Sequence, residues 1–431
     1  MIINRTYELP WSANDQPGGL LDAVSRSHVG EPLRWFVSKT GSDCVQVEST
    51  ECVPGSLPAG QETAAAPARS GRAVAVSLIP TGIGCAIGGY AGDAGPATQL
   101  LASTADLLVT NPNAVNASNF IATDQRIVYT EGYTLDLFSS GKIALHLPRA
   151  NRIGVIIEQA PDAALVEVLN VINTVRAVYG VDIADYVITT DPIGTRCARH
   201  GSGAYAGQID NPEILLAAGR RLMSAGATAL AVTTNVQELP AHDYMSHFAG
   251  AHPNPVGGAE AVVSHLLTRV LGVPAAHAPM LNFSQFHRPG WVVDARSAGE
   301  FVSASGLACV LIGLRRAPQL VPLPRCPVNA SISIDDVIGI VAPGTALGSV
   351  PILSAAERGI PVIAVKDNTT ILDVTATGLR LSGVIEVDSY LAAAGALLAL
   401  RSGISIESVR RPLAALGATM LMADGLAILG R

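Results

Sequence analysis

Residues 74–93 read VAVSLIPTGIGCAIGGYAGD, an apolar run rich in β-branched residues followed by a glycine-rich turn. The run predicts a buried strand and the residues after the turn predict a helix, which together make the first half of a βα unit. Similar runs alternate with helical patterns, as in largely parallel sheets. We predict strands at Val74–Ile79, Leu107–Thr110, Arg152–Ile157, Tyr186–Thr189, Ala229–Thr233, Ala308–Ile312, Val337–Val341 and Val362–Val365. The sequence therefore predicts an α/β fold with largely parallel sheets built from repeated βα units.

The chain of 431 residues is longer than one average domain. Residues 1–52 predict a small β-containing N-terminal extension, with strands at Leu33–Val37 and Cys44–Val47. Residues 53–72 are rich in Pro, Ala and Gly and predict a linker or loop. We divide the remainder into a first α/β domain, 73–240, and a second, 241–431, and leave the role of residues 1–72 open.

The composition excludes several classes of protein. Hydrophobic residues make up 49% and charged residues 15%, so we expect a large core together with a homodimeric or higher homo-oligomeric interface. No apolar run approaches the roughly 20 residues of a membrane span, and the start of the sequence does not resemble a secretory signal, which favours the cytoplasm. A net charge of -7 without a Lys/Arg cluster argues against nucleic acid. The six cysteines form no CxxC pair, which argues against a zinc ribbon or a disulfide framework.

Three predicted strands, at Val74–Ile79, Tyr186–Thr189 and Val337–Val341, are each followed by a Gly-containing loop and a helix. Duplication and convergence explain this similarity equally well. Ligands of open α/β sheets bind at the carboxyl ends of strands, so we expect the three loops to share a small-molecule site.

The first loop carries six glycines between Ile79 and Gly95, which allow backbone N–H groups to approach a phosphate or carboxylate. Its candidate binding residues are Thr81, Gly82, Gly84, Gly88 and Gly89. The spacing GxGxxxG is not the dinucleotide fingerprint, and no acidic residue ends the next strand, so NAD(P) is disfavoured. The alternative to an anion-binding role is a tight turn whose glycines are needed only for packing.

Side chains of this region suggest further roles. Cys85 lies close to a helix start, where a thiolate would be a nucleophile, or it is an apolar filler. Asp93 is a candidate catalytic group or a helix N-cap. After the next strand, Asn111, Asn113 and Asn116 either orient a polar ligand or stabilise the turn.

The second loop combines acid, base and cation. Arg196 and Arg199 could clamp a carboxylate, His200 could transfer a proton, and Asp191 is a further catalytic candidate. The alternative is a solvated loop without chemistry.

Six of the nine histidines lie between His242 and His287, yet no zinc motif is present and we predict no metal ligands. Glu260 and His265 are candidates for acid/base chemistry on one helix. Five positions separate them by about 140° around the helix, so they share a face only with help from packing.

The third loop offers the hydroxyl groups of Thr345 and Ser349 to a ligand. The strand that follows ends at Lys366, a candidate base or anion partner, with Asn368 nearby. The alternative pairs Lys366 with Asp367.

These segments together resemble an uncharacterised bacterial family, domain of unknown function 3326: Pro80–Asp93, Asn111–Asn116, Asp191–Gly203, Pro255–His265, His277–Pro279 and Gly344–Thr370. The resemblance runs from about residue 73 to 403. It implies that the loops form one site, that Cys85 lies where the family varies, and that no reaction is settled.

The sequence favours a small-molecule metabolic or biosynthetic enzyme that acts on an anionic carboxylate or phosphate substrate by acid/base chemistry. Lyase, isomerase, cyclase and amide hydrolase reactions all need an oxyanion site and a positioned acid or base. Two alternatives stay open: a non-catalytic metabolite- or nucleotide-binding protein, and an NAD(P)- or metal-dependent enzyme. No cofactor is predicted.

Overall fold

The computed structural model describes residues 2–12, 17–53, 70–80, 82–111, 116–117, 120–121, 124–237, 241–280, 290–303, 305–322, 331–413, 415–416, 419–422 and 425–428. Within these ranges, no helix is long and apolar enough to cross a membrane.

The strands are β1 Ile2–Pro10, β2 Glu31–Thr40, β3 Cys44–Cys52, β4 Val74–Ser77, β5 Leu107–Thr110, β6 Asn116–Ala117, β7 Phe120–Ile121, β8 Ile127–Tyr129, β9 Ile143–His146, β10 Arg152–Ile157, β11 Asp182–Ile188, β12 Thr195–Arg199, β13 Tyr205–Ile209, β14 Ala229–Thr234, β15 Val236–Gln237, β16 Ala275–Pro279, β17 Gln319–Pro322, β18 Ser331–Ile332, β19 Val337–Pro343, β20 Val362–Val365, β21 Ile385–Val387, β22 Thr419–Met422 and β23 Gly425–Ile428. The helices are α1 Pro17–Ser27, α2 Gly95–Ala102, α3 Gly132–Ser139, α4 Asp162–Tyr179, α5 Pro212–Ser224, α6 Ala241–Phe248, α7 Gly257–Leu271, α8 Ala298–Phe301, α9 Gly306–Leu314, α10 Val350–Arg358, α11 Tyr390–Arg401 and α12 Ile406–Val409.

Two parallel sheets form the framework, which confirms the predicted fold class. One has six strands in the order β21-β20-β19-β4-β5-β8, and the other has four in the order β11-β10-β14-β16. All neighbours in both sheets run parallel. Every residue of β4 and β5 is buried, as expected for strands covered on both faces. Because β4 pairs with β19, the larger sheet takes strands from both sides of residue 240, and the division of the chain at that position stays a prediction.

One predicted strand is wrong. Ala308–Ile312 lies inside helix α9, whose N-cap Ser305 accepts a hydrogen bond from the backbone N–H of Leu307. Leu307, Val310 and Leu314 recur every three or four residues and are buried against the four-stranded sheet. A short, uniformly apolar run does not distinguish a buried strand from a buried helix, which explains the error.

The N-terminal residues form the expected β unit, an antiparallel sheet in the order β1-β3-β2. Strand β2 reaches the larger sheet through Val37, whose N–H donates to Gly348 at 2.9 Å. The same strand meets helix α7, where the carbonyl of Leu33 accepts from His265. The N-terminal unit therefore lies against elements of both parallel sheets.

Helix α7 lies unusually close to β13 because two glycines face each other. A Cβ at Gly258 would lie 2.5 Å from the carbonyl carbon of Ala206, and one at Gly207 would lie 2.4 Å from the carbonyl oxygen of Gly258. Since real side chains do not tolerate such distances, the pair fixes the position of α7 beside the site described next.

Candidate active site

A cavity of about 170 Å³ lies at the carboxyl edge of the six-stranded sheet. Residues that follow β4, β5, β8 and β19 form one side, and β2, α7 and β16 form the rest. Open α/β sheets bind ligands at this edge. The apolar part of the wall includes Trp35, Phe36, Ile83, Leu135 and Leu372.

Arg34 of β2 is the only Lys or Arg among the described residues that line this cavity. Its Nη1 donates to the carbonyl of Tyr205 at 3.3 Å, and its guanidinium carbon lies 5.0 Å from the centroid of the Phe36 ring. Burial lowers the pKa of Arg34, and the nearby carboxylates of Glu48 and Asp136 oppose that effect. A guanidinium stays charged under such conditions and can hold a carboxylate with two parallel hydrogen bonds.

Glu131 and His265 form a buried pair on the opposite elements α3 and α7. The carboxylate of Glu131 caps α3 and accepts from the N–H groups of Tyr133 at 2.8 Å and Thr134 at 2.6 Å, and from the Thr134 hydroxyl. His265 Nε2 lies 3.7 Å from Glu131 Oε2, while its Nδ1 lies 2.9 Å from the carbonyl oxygen of Leu33. Because a carbonyl only accepts, Nδ1 carries the proton and Nε2 of the neutral ring is an acceptor.

The surroundings set the protonation of this pair. Burial raises the pKa of Glu131 to about 7, opposed by the hydrogen bonds from Thr134 and Tyr133. Burial also lowers the pKa of His265 to about 4, so the imidazole is neutral at neutral pH. A carboxyl group with a pKa near 7 can both give and take a proton at neutral pH.

Asp136 adds a second carboxyl group on α3, at a partly buried position. Burial raises its pKa well above the ordinary value, the charge of Glu131 raises it further, and Arg34 and Lys142 lower it. Asp136 lines the cavity together with Glu131 and Arg34. Two carboxyl groups and a guanidinium thus line the same cavity.

Two polar side chains of the lining have atoms without partners. His277 of β16 is 2% exposed, and its Nε2 lies 2.8 Å from Thr234 Oγ1. Its Nδ1, like Oγ of Ser349, has no hydrogen-bond partner among the described residues. Burial lowers the pKa of His277 to about 3, so this ring is neutral as well. Unpaired buried polar atoms are costly, and both of these belong to side chains of the cavity lining.

Gly132, at the start of α3, allows His265 to lie against the helix. A Cβ at this position would lie 2.7 Å from His265 Nε2. The positive end of a helix also disfavours a charged imidazole. The glycine therefore lets the ring and the helix start meet in the cavity.

Four sequence-predicted site residues line the cavity: Asn111, Glu260, His265 and Ser349. Glu260 and His265 both line the cavity although they are five positions apart, because the lining follows α7 from Glu260 to His265. Asn111 also accepts from the N–H of Ile79 at 2.9 Å and so holds the start of the glycine-rich turn.

Backbone amides of the glycine-rich turn donate hydrogen bonds to acceptors of the protein itself. The N–H groups of Ile87, Gly88 and Ala91 donate to Asn368, Asp93 and Glu300 at 2.8, 2.6 and 2.8 Å, and Ala86 N–H donates to the carbonyl of Thr369. These four amides are therefore already occupied by the protein's own acceptors. Asp93 closes this turn and does not cap α2, whose N-cap is Ala94 without a side-chain bond.

Positions 88 and 89 require glycine because a side chain would clash with neighbouring atoms. Gly88 has a φ of 92°, and a Cβ there would lie 2.1 Å from Ile79 Cγ2. A Cβ at Gly89 would lie 2.5 Å from the carbonyl oxygen of Cys85. The positive φ values of Gly82 and Gly84 likewise favour glycine.

Cys85 is buried with its Sγ 3.3 Å from the carbonyl oxygen of Pro80. Burial raises the pKa of this thiol far above its ordinary value, and the charge of Asp93 adds to the effect. The thiolate that a nucleophile needs is therefore disfavoured, and the placement fits an apolar filler.

None of the four candidates of the second loop is among the described residues that line the cavity. Asp191 and Arg199 are exposed, and Arg199 donates to the carbonyl of Gly203 at 3.3 Å. Arg196 forms an ion pair with Asp210. His200 is half-buried outside this cavity, and burial lowers the pKa of its imidazole.

The other candidates from the third loop and the strand that follows it, Thr345, Lys366 and Asn368, lie outside the cavity lining. The side chain of Lys366 is 56% exposed, and its Nζ lies 2.7 Å from Asp388 rather than pairing with Asp367. Thr345 Oγ1 bonds to Thr370, and the buried Asn368 bonds to Ile87 and Tyr390. Thr81, Asn113 and the side chain of Asn116 lie outside the described residues.

Sequence reasoning missed Arg34, Glu131, Asp136 and His277 as site residues. Arg34 interrupts the apolar strand Leu33–Val37, and a lone charge inside such a run is the signal that could have found it. Glu131 follows β8, a strand too short to show a pattern. His277 lies within a run of alanines and prolines that does not read as a strand.

The comparisons with known proteins agree with the resemblance found in the sequence. Residues 74–410 match the family described as "Protein of unknown function (DUF3326)". An uncharacterized lipoprotein of Synechococcus is 37% identical over 331 residues, which cover 76% of this chain and 91% of that protein. No solved structure matches the chain. Arg34 lies before the residues matched to the family. The chain belongs to the DUF3326 family of proteins of unknown function.

Proposed function

We propose that this protein is a small-molecule enzyme that transfers a proton to or from a small carboxylate substrate in the cavity beside Arg34. The observation that carries the proposal is the buried pair of Glu131 and His265, which lies in the same cavity as a guanidinium. A titratable carboxyl group beside an anion-binding residue is the arrangement that acid/base catalysis requires.

Each of the three polar residues has a separate role in the proposed reaction. Arg34 holds the substrate carboxylate. Glu131 gives or takes the proton, because its pKa of about 7 matches neutral pH. Nδ1 of His265 donates to the carbonyl of Leu33 and takes no part in proton transfer. Its Nε2 is free to accept a hydrogen bond next to Glu131. Lyase, isomerase, cyclase and amide hydrolase chemistry each fit these roles.

Charge and size favour a carboxylate over a phosphate. One guanidinium balances a single negative charge, and the neighbouring carboxyl groups would repel a dianion. A cavity of about 170 Å³ is comparable to one of about 150 Å³ that holds benzene. The substrate is therefore a small molecule, not much larger than benzene.

A proton-transfer experiment tests this proposal. Mixtures of small carboxylates are incubated with the protein in D₂O, and ¹H NMR follows loss of C–H signals and formation of products. We expect at least one compound to react, and Glu131→Gln to slow its reaction by about 100-fold or more. Lys366→Ala, which changes an exposed residue outside the cavity, serves as the control and keeps the wild-type rate.

Two results would overturn the proposal. One is a substrate whose reaction proceeds at the wild-type rate in Glu131→Gln. The other is a bound carboxylate that neither exchanges nor reacts, which would favour a non-catalytic metabolite-binding protein.

We further propose a cytoplasmic location and a homo-oligomeric state. The low charge content supports the oligomer. Because the Synechococcus relative is called a lipoprotein, the membrane is the alternative location. Fractionation of cells, and light scattering on the purified protein, test the two points.

A further inference from the structure

Two carboxyl groups whose ionisation is disfavoured line the cavity together. Burial raises the pKa of both Glu131 and Asp136, and the charge of Glu131 raises that of Asp136 further. Both line the cavity with Arg34, the only Lys or Arg of the described lining. A positive group of a ligand bound beside the two carboxyl groups would favour their ionised forms.

The pair of Glu131 and His265 has a place for a hydrogen-bond donor. His265 Nε2 is an acceptor, because Nδ1 donates to the carbonyl of Leu33, and it lies 3.7 Å from Glu131 Oε2. When Glu131 is ionised, both atoms are acceptors and neither donates to the other. An ammonium group carries three donors and a positive charge.

His277 is a further polar residue of the lining. It is 2% exposed, and its buried Nδ1 has no partner among the described residues. Such an atom would gain a hydrogen bond if a polar group of a ligand reached it.

We infer that the substrate is a zwitterion, a small amino acid whose carboxylate binds Arg34 and whose ammonium group binds Glu131 beside His265 and Asp136. This inference rests on the proposed function of the same cavity. The side chain of the amino acid packs against the apolar wall that includes Phe36, Leu135 and Leu372. A dicarboxylate or a phosphate would add negative charge beside groups whose ionisation is already disfavoured.

Matched ligands test the zwitterion directly. Three sets are titrated by calorimetry at pH 7: alanine, propionate and ethylamine; leucine, 4-methylpentanoate and 3-methylbutylamine; phenylalanine, 3-phenylpropionate and 2-phenylethylamine. In at least one set we expect the amino acid to bind at least about tenfold more tightly than both analogues, because each partly buried ion pair is worth that factor or more.

Two variants assign the contacts. Glu131→Gln should remove the advantage of the amino acid over the carboxylate, and Arg34→Met should remove its advantage over the amine. Lys366→Ala should keep both. Circular dichroism checks that each variant is folded.

The outcomes separate the two proposals. Carboxylates that bind as tightly as their amino acids overturn the zwitterion and leave the proposed function standing. If none of the nine compounds binds, the zwitterion also fails, and the deuterium experiment alone then decides the proposed function.

Discussion

Replacing Glu131 with glutamine should change how stability depends on pH. The pKa of this carboxyl group is raised from 4.5 to about 7 in the folded protein. Between these values the unfolded chain loses the proton and the folded protein keeps it, so stability falls as pH rises through this range. Below about pH 4.5 both states are protonated and the group contributes nothing, and above about pH 7 its full cost is present.

The size of the expected change in stability follows from the pKa shift of Glu131. Each unit of pKa difference corresponds to about 1.4 kcal/mol, so ionised Glu131 costs about 3 kcal/mol of folding free energy above pH 7. Glutamine does not ionise. The free energy of unfolding of Glu131→Gln minus that of the wild type should therefore increase by about 3 kcal/mol between pH 4.5 and pH 8. Relief of Asp136, whose pKa Glu131 raises, acts in the same direction.

Urea unfolding at a series of pH values measures this difference. A lost hydrogen bond to the N–H of Tyr133 or Thr134 gives an offset that does not vary with pH, so the slope isolates the ionisation. Glu213→Gln, at an exposed position of α5, should show no such increase. A flat or decreasing difference for Glu131→Gln would mean that the carboxylate is ionised in the folded protein at pH 4.5, and the reasoning about proton transfer would be wrong.

Two further predictions concern glycines. Gly132→Ala places a Cβ 2.7 Å from His265 Nε2, so it should displace the ring, cost about 1–3 kcal/mol and abolish ligand binding in calorimetry; wild-type affinity would contradict the geometry of the cavity. Gly88→Ala should lower the melting temperature strongly, because its Cβ would lie 2.1 Å from Ile79 Cγ2 at a φ of 92°. Gly95→Ala, which meets nothing within 4 Å, is the matched control and should melt no lower than the wild type; equal melting of both variants would show that the turn tolerates side chains.

The fold was largely predictable because its strands are apolar runs buried on both faces. Leu107–Thr110, Arg152–Ile157 and Val362–Val365 coincide with β5, β10 and β20. The helix α9 was not predictable in this way, since a short apolar run carries no distinctive period.

The site was less predictable, because distant segments complete it. Arg34 enters the cavity from β2, far along the chain from Glu131 and His265. The glycine-rich turn looked open to an anion, yet one of its amides is occupied by Asn368, 281 residues away. A local sequence pattern identifies a glycine-rich turn, but it does not show which acceptors from distant segments bond to its amides.

The central claim is that Arg34, and not the arginines of the second loop, holds the substrate carboxylate. A melting-temperature screen of small carboxylates and amino acids tests it on the wild type, Arg34→Met and Arg199→Met, since a ligand at 100 times its Kd adds about 2.7 kcal/mol. The account predicts a compound that raises the melting temperature of the wild type and of Arg199→Met but not of Arg34→Met. A shift that persists in Arg34→Met and disappears in Arg199→Met would contradict it.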